Sequence, residues 1–439
     1  MSDYLLAGFG KTDITPQTDG TFKVLDPIYF RALHLKQGDK QVTFLSADLF
    51  QLDDDFKDLV AKKVTDIEID GDWILQAPSH LGTAPIFFNH YMVQPTESLR
   101  HYDKVEFYAE AAAQAIRLAY RDVSPASIAV GTTETPEELA HNRRAYDKNG
   151  NFVFVTMQKW HTQPKHLVYK PHDRQLGIVY IKREKKRPIA LINYANHALC
   201  LVKEFGNISG EYCGRLCQMM DAEGFDALFI QGALGDIAPN RKTDDPANYL
   251  ANALLKISHQ LIDTLEPTAD LEIKLASKTI DIPFQPLPSP DELKQKMEKI
   301  RLSDGQNPMV RNSEGTWQWK NKDKIGPRDN HDRYKYWLAS RFAGQKNYPY
   351  TLRAITIGSS CLLFIPGEPF SETASKIREA AIQEEILILA SPSAEAGYLA
   401  TPLAHKEGAN EHDLSALDYE SEPAIVTAAI ELINHPTLV

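Results

Sequence analysis

Four side chains able to bind a metal each stand just past a short apolar run. His80 closes Trp73-Ile-Leu-Gln-Ala-Pro-Ser-His80, and His197 closes Pro188-Ile-Ala-Leu-Ile-Asn-Tyr-Ala-Asn-His197. Glu368 follows Ser360 to Ile365 in Pro366-Gly-Glu368, and Tyr398 lies in the loop 391–402 after the run Glu385 to Ala390. Two neutral imidazoles and a carboxylate form a familiar catalytic zinc set that leaves a position for water. A phenolate is a rarer ligand, favoured where a metal's charge stabilises the deprotonated oxygen. In open α/β sheets, ligands and catalytic groups gather outside the carboxyl ends of strands. Distance along the chain cannot show whether the four meet.

The elements that must position them alternate between strand and helix. Val42 to Phe50 is a continuous apolar run ending in Ser46-Ala-Asp48-Leu, followed by a helical pattern over Asp54 to Val64 and a strand over Asp72 to Ala77. A strong apolar stripe predicts a helix from Tyr102 to Tyr120, then a strand over Ala126 to Thr132 and a turn at Asp147-Lys-Asn-Gly150-Asn. Strands over 176–182 and 188–195, a helix over 211–223 and a strand from Ala227 to Gln231 come next, the last breaking into Gly232 to Asn240. The blocks 72–84 and 188–210 share a layout, without a repeat at the residue level. The region 283–347 is polar and aromatic, with Trp317, Trp319, Tyr334, Tyr336 and Trp337 among lysines and arginines, and reads as an insertion. Strands resume over Tyr350 to Ile357. The fold class expected is α/β, with mixed sheets flanked by helices, the active site at strand ends, and a single domain over 1–439.

A net charge of −11 argues against nucleic acid or an anionic membrane surface as the main partner. The run Lys182-Arg-Glu-Lys-Lys-Arg187 lies between two strands and reads as a solvated hairpin turn. Four cysteines in 439 residues make no disulfide framework; Cys213 and Cys217 read as small buried apolar residues. No apolar run approaches the ~20 residues that span a bilayer, and the start has no basic region of a signal peptide. The expectation is a cytoplasmic protein acting on a small-molecule substrate, without stable membrane association; the oligomeric state is not legible.

The chain resembles the neutral/alkaline ceramidase family along nearly all its length. Ala7 to Pro16 is similar to the family's opening segment, and Ser79-His80-Leu-Gly82-Thr-Ala-Pro85 resembles its Ser-His-Thr-His-Ser-Gly-Pro. His141-Asn-Arg143-Arg-Ala-Tyr146, Asn193 to Leu199 with Ile208 to Glu211, Gly235-Asp-Ile-Ala-Pro-Asn240, Pro366-Gly-Glu368 and Gly397 to Thr401 resemble further blocks in the same order. The resemblance implies that His80, His197, Glu368 and Tyr398 hold one zinc ion. Departures from the pattern are informative: the second histidine of the first block is Gly82, and the serine of Gly-Asp-Val-Ser-Pro-Asn is Ala238. A serine acyl-enzyme at that position is excluded. The family's C-terminal β-sandwich is not part of the resemblance, and a soluble substrate other than membrane-embedded ceramide is expected.

The function expected is zinc-dependent hydrolysis of an amide, with the metal activating water and polarising the carbonyl. Arg143 is the candidate to steady an oxyanion or substrate carboxylate, with Arg144 as its alternative. Asp236 is the candidate to accept a proton or to orient a ligand histidine, and a helix cap is its other reading. Tyr398, Glu211 and His141 are the candidates for general acid. Hydrolysis of an ester, lactone or sugar derivative, and a binding protein without turnover, are the alternatives.

Overall fold

A computed structural model describes residues 4–435, except 88–95, 156–162, 288, 290, 293–294, 296–308, 312–316, 320–333, 336 and 394. Twelve of the strands form three quartets with one plan. The first comprises β1 (Leu6–Asp13), β2 (Tyr29–Gln37), β3 (Lys40–Ala47) and β4 (Ile74–Pro78). The second comprises β5 (Ser124–Glu134), β6 (Gln175–Arg183), β7 (Ile189–Tyr194) and β8 (Asp226–Gln231); the third β9 (Ile273–Pro283), β10 (Asn347–Ile357), β11 (Ser360–Pro366) and β12 (Glu385–Ser391). In each quartet the first three strands are antiparallel neighbours and the fourth runs parallel to the third. The first two quartets form one eight-stranded sheet, β8-β7-β6-β5-β1-β2-β3-β4, joined where Leu6 and Ala7 meet Pro125 and Ser124.

Helices repeat the same plan. A crossover helix joins each third strand to the fourth: α1 (Asp54–Lys63), α3 (Glu211–Ala222) and α5 (Ser371–Ala380). A second helix follows each fourth strand: α2 (Val105–Arg121), α4 (Pro246–Ile262) and α6 (Ser421–Asn434). The blocks 72–84 and 188–210 do not hold equivalent places in this plan: the first contains a fourth strand, β4, and the second a third strand, β7.

One buried cluster draws on all three quartets, including Leu33, Phe44 and Leu75 from the first, Leu191 and Ile230 from the second, and Ile355 and Leu389 from the third. The opposite faces meet helices. Along β7, Ile189 and Leu191 enter the central cluster, whereas Ala190, Ile192 and Tyr194 enter the helix layer. Burial on both faces is why these strands read as unbroken apolar runs. The three fourth strands touch one another, and side-chain hydrogen bonds close a ring among the quartets. Ser46 Oγ donates to the Phe229 carbonyl (2.6 Å), Asn193 Nδ2 to Ile388 (2.9 Å) and Ser391 Oγ to Gln76 (2.7 Å).

Alternating strand direction puts three features at the same end of each quartet: the ends of its third and fourth strands, and the connection between its first two. That connection is 14–28 in the first quartet, 135–174 in the second and 284–346 in the third, so all three leave from the end that carries His80, His197, Glu368 and Tyr398. Tyr334 is buried there, and Arg341 pairs with Asp55 (2.5 Å) and Glu395 (3.4 Å). Tyr336 and the lysines and arginines among 320–333 lie outside the described residues. The basic run proves to be more than solvated: Arg183 is buried and pairs with Asp122 and Asp226, while Lys186 also reaches Asp122 (2.6 Å). Acids from the helix after β4 and the start of β8 make this hairpin an ionic clamp, which linear charge counting cannot see. Cys213 and Cys217 are buried free thiols, as expected.

Candidate metal centre

Each ligand candidate is carried by a different strand end. After β4 the chain stays hydrogen-bonded beside the extension of β3, through Ser79 N to Ala47 O (2.8 Å) and Leu81 N to Leu49 O (3.0 Å). His80 between them holds φ at 63°, a left-handed conformation uncommon for a side chain of this kind, found at sites the surroundings over-determine. His197 follows β7. Glu368 and Tyr398 follow β11 and β12 and face each other as a parallel pair, Glu368 N donating to Gly397 O at 2.9 Å. Gly367 and Gly397 precede them at φ 88° and 60°; a Cβ on Gly397 would come within 2.2 Å of Leu414 O. Glycine is required at both.

The four side chains converge and are almost wholly buried. His80 Nε2 lies 3.4 Å from Glu368 Oε1, and His197 Nε2 lies 3.3 Å from Glu368 Oε2 and 3.2 Å from the Tyr398 hydroxyl. His80 Nδ1 faces the Phe50 carbonyl (3.0 Å), and His197 Nδ1 the Ile237 carbonyl (2.7 Å). A carbonyl only accepts, so both protons sit on Nδ1 and both Nε2 lone pairs point at the carboxylate. Burial holds the His80 imidazole down to about 4, and His197 well below its ordinary value, so both are neutral at pH 7. The Tyr398 O–H can serve one acceptor only. Glu368 Oε2 is buried without a hydrogen-bond partner. A cluster of facing lone pairs in a dry site is costly unless a cation lies among them. The residues therefore fit a divalent ion; the ligand atoms of His80, His197 and Glu368 all lie within 4.8 Å of one another, the one such group among the described residues.

Electrostatics around the group are set by burial and one guanidinium. Burial raises the Glu368 carboxyl, opposed by His80 and Arg143. Burial also raises the Tyr398 phenol, and Arg143 pulls it back. The Arg143 guanidinium lies 5.3 Å from the centre of the Tyr398 ring and hydrogen-bonds its hydroxyl. It is held in turn by the Gly235 carbonyl and by Glu411 at 3.1 Å.

Of the other candidates, Arg143 reaches the group and Arg144 does not. Arg143 is a bend between the short strands Ala140–Asn142 and Arg144–Tyr146, and Arg144 beyond it turns onto Glu407 (2.7 Å) and Glu411 (3.2 Å). Asp236 is also turned away: its carboxylate accepts from Asn142 Nδ2 (2.6 Å), Ser371 N (2.9 Å) and Ser371 Oγ (2.8 Å). The partner expected for a ligand histidine is instead the carbonyl of the next residue, Ile237. Asp236 caps α5, whose own N-cap residue, Phe370, offers no side-chain acceptor. Asn142, Arg144, Asp236 and Ser371 line a separate cleft of about 630 Å³. Glu211 accepts from the backbone of Cys200 (3.1 Å) and Leu201 (2.8 Å), holding the loop after His197; burial pushes its carboxyl up to about 7. His141 packs edge-on to Tyr169 at 5.8 Å and is not among the clustered ligands.

Both departures from the family pattern lie in apolar surroundings. A Cβ on Gly82 would meet Phe205 at 2.6 Å and Leu199 at 2.7 Å, so those side chains fill the space a histidine would need. Ala238 is fully buried in a cluster with Leu199, Val202 and partly buried Phe205. Phe50, stacked on His80 with ring centres 4.3 Å apart, and Glu411, which joins Arg143 to Arg144, were not legible in the sequence. Neither residue stands in a motif; a pair of adjacent arginines, both buried, was the available hint that acids must lie opposite.

No family model matches the chain, and no curated protein matches it in sequence. Solved structures do. The crystal structure of neutral ceramidase from Pseudomonas aeruginosa superposes with a TM-score of 0.71 at 14% identity, over 99% of this chain and 74% of that one. A structure described as ceramidase complexed with C2 gives 0.66 at 13% identity, over 98% of this chain and 75% of that one. At such identity the likeness speaks for the fold. The three quartets and their helices thus build a neutral ceramidase-like α/β fold.

Proposed function

We propose that this chain is a zinc-dependent hydrolase that cleaves the amide bond of a small, soluble substrate, as one catalytic domain in the cytoplasm. The observation that carries it is the pair of imidazole lone pairs aimed at a buried, under-partnered carboxylate. His80, His197 and Glu368 would hold the ion, with Tyr398 as a fourth donor. Bound zinc supplies Lewis acidity, which polarises an acyl carbonyl and lowers the pKa of water. Arg143, fixed by Gly235 and Glu411, offers paired donors to a developing oxyanion or a substrate carboxylate. Tyr398, between Arg143 and His197, is placed to hold or pass a proton at its hydroxyl. Asp236 acts on this chemistry through the backbone, its carbonyl accepting from Arg143 N at 2.7 Å. Among the described residues no helix is long and apolar enough to cross a membrane.

The test is metal analysis of the purified protein, followed by hydrolysis assays on N-acyl amides, esters, lactones and glycosides before and after chelation. Amide cleavage lost on chelation and restored by zinc is expected. Turnover of esters or glycosides alone reassigns the substrate class, and zinc-loaded protein inert on every class leaves a binding protein.

A further inference from the structure

Gln231 ends β8, the fourth strand of the second quartet, where the other two fourth strands lead to His80 and Tyr398. Its side chain is fully buried and bridges two backbones. The amide Nε2 donates to the Ser79 carbonyl at 2.8 Å, and Oε1 accepts from Asn196 N at 3.3 Å. Ser79 and Asn196 are the residues immediately before His80 and His197. We infer that Gln231 is the positioning residue that sets the separation of the two imidazoles, and so the geometry of the metal centre.

Three facts carry this. The two histidines stand on loops 117 positions apart in sequence, from different quartets; the backbone link beside them, Gly82 N to Ala198 O, is long at 3.5 Å, and the shorter one, Ser209 N to Thr83 O at 3.0 Å, lies farther along both loops. A planar amide is the side chain that can donate to one backbone and accept from another at a fixed spacing. Asn196 is held by a second contact as well, its carbonyl accepting from the Tyr212 hydroxyl at 2.7 Å, and that hydroxyl itself lies 3.5 Å from Gln231 Nε2. Partners that orient metal ligands typically carry about 10- to 100-fold in metal affinity. The inference rests on the zinc reading above.

Competition with a chromophoric chelator gives zinc affinity for native protein, Gln231→Met, Gln231→Glu and Ser46→Ala. The last removes another buried hydrogen bond onto β8, from Ser46 to Phe229, that touches neither histidine loop. Gln231→Met is expected to bind zinc about 10- to 100-fold more weakly and to shift the visible absorption of the cobalt-substituted protein. Ser46→Ala should match native protein in both readings. Equal affinity and spectra in native protein and Gln231→Met, or a loss no greater than that in Ser46→Ala, overturns the inference alone. Should Gln231→Met fail to fold, Gln231→Glu, which keeps the acceptor and loses the neutral donor, decides by the same criterion. Native protein that binds no zinc overturns the metal reading and this inference with it.

Discussion

Two buried polar regions meet along residues 142–144, and they are built on opposite principles. Toward one face, Arg143 reaches a group whose lone pairs oppose one another: two Nε2 atoms and a carboxylate with an unpartnered oxygen. Toward the other, Asn142 donates to Asp236, both of whose oxygens accept donors, and Arg144 pairs with Glu407 and Glu411. Burial raises both carboxyl groups, Glu368 and Asp236, so the shift alone does not tell them apart. The two carboxylates differ in their partners: Glu368 Oε2 has no hydrogen bond, whereas both oxygens of Asp236 accept donors.

The sharpest way to break that contrast is to give the ligand acid a donor. Glu368→Gln places an amide N–H₂ before the imidazole lone pairs. Zinc affinity is expected to fall at least 100-fold, while the melting temperature of metal-free protein rises, by the equivalent of about 1 kcal/mol for a hydrogen bond gained. Zinc competition and thermal unfolding under chelation measure the two. Unchanged affinity would remove Glu368 from the ligand set.

The reverse change on the structural acid has a smaller reach. Asp236→Asn sets an amide against Asn142 Nδ2 and weakens the cap on α5, which should cost about 1–3 kcal/mol in chemical denaturation. Zinc affinity should stay at the native value. A loss of affinity comparable to that of Glu368→Gln would mean that Asp236 belongs to the centre after all.

The weakest expected effect tests a carboxyl of mixed character. Glu211 accepts two backbone donors, yet burial raises it from 4.5 to about 7. A native pKa above the unfolded one means that the folded chain binds the extra proton. Its contribution to stability is full below about pH 4.5 and is lost as pH rises through about 7. Glu211→Gln should flatten the fall in melting temperature between pH 5 and pH 8. A native profile already flat over that window would contradict the raised pKa.

Much of the frame was readable from residue order. Asp54–Lys63 is helical, and β7 and β12 are the apolar runs expected. The threefold plan was not readable, because the quartets share direction and pairing while their side chains differ. Arg183 shows the same limit: in sequence it belongs to a charge run, and only folding brings Asp122 and Asp226 to it.

Residue order by itself determined which chemistry was on offer: apolar strands ending in two histidines, a glutamate and a tyrosine, with glycines ahead of two of them. These are local matters, set by side-chain type, turn conformation and burial periodicity. Tertiary structure alone decided who serves whom: that His197 leans on the Ile237 carbonyl and not on Asp236, that Arg143 rather than Arg144 meets Tyr398, and that Gln231 spans both histidine loops. The reason is geometric. A hydrogen bond is settled over about 3 Å, and contacts that short between segments so far apart in sequence exist only once the three quartets have packed on one core.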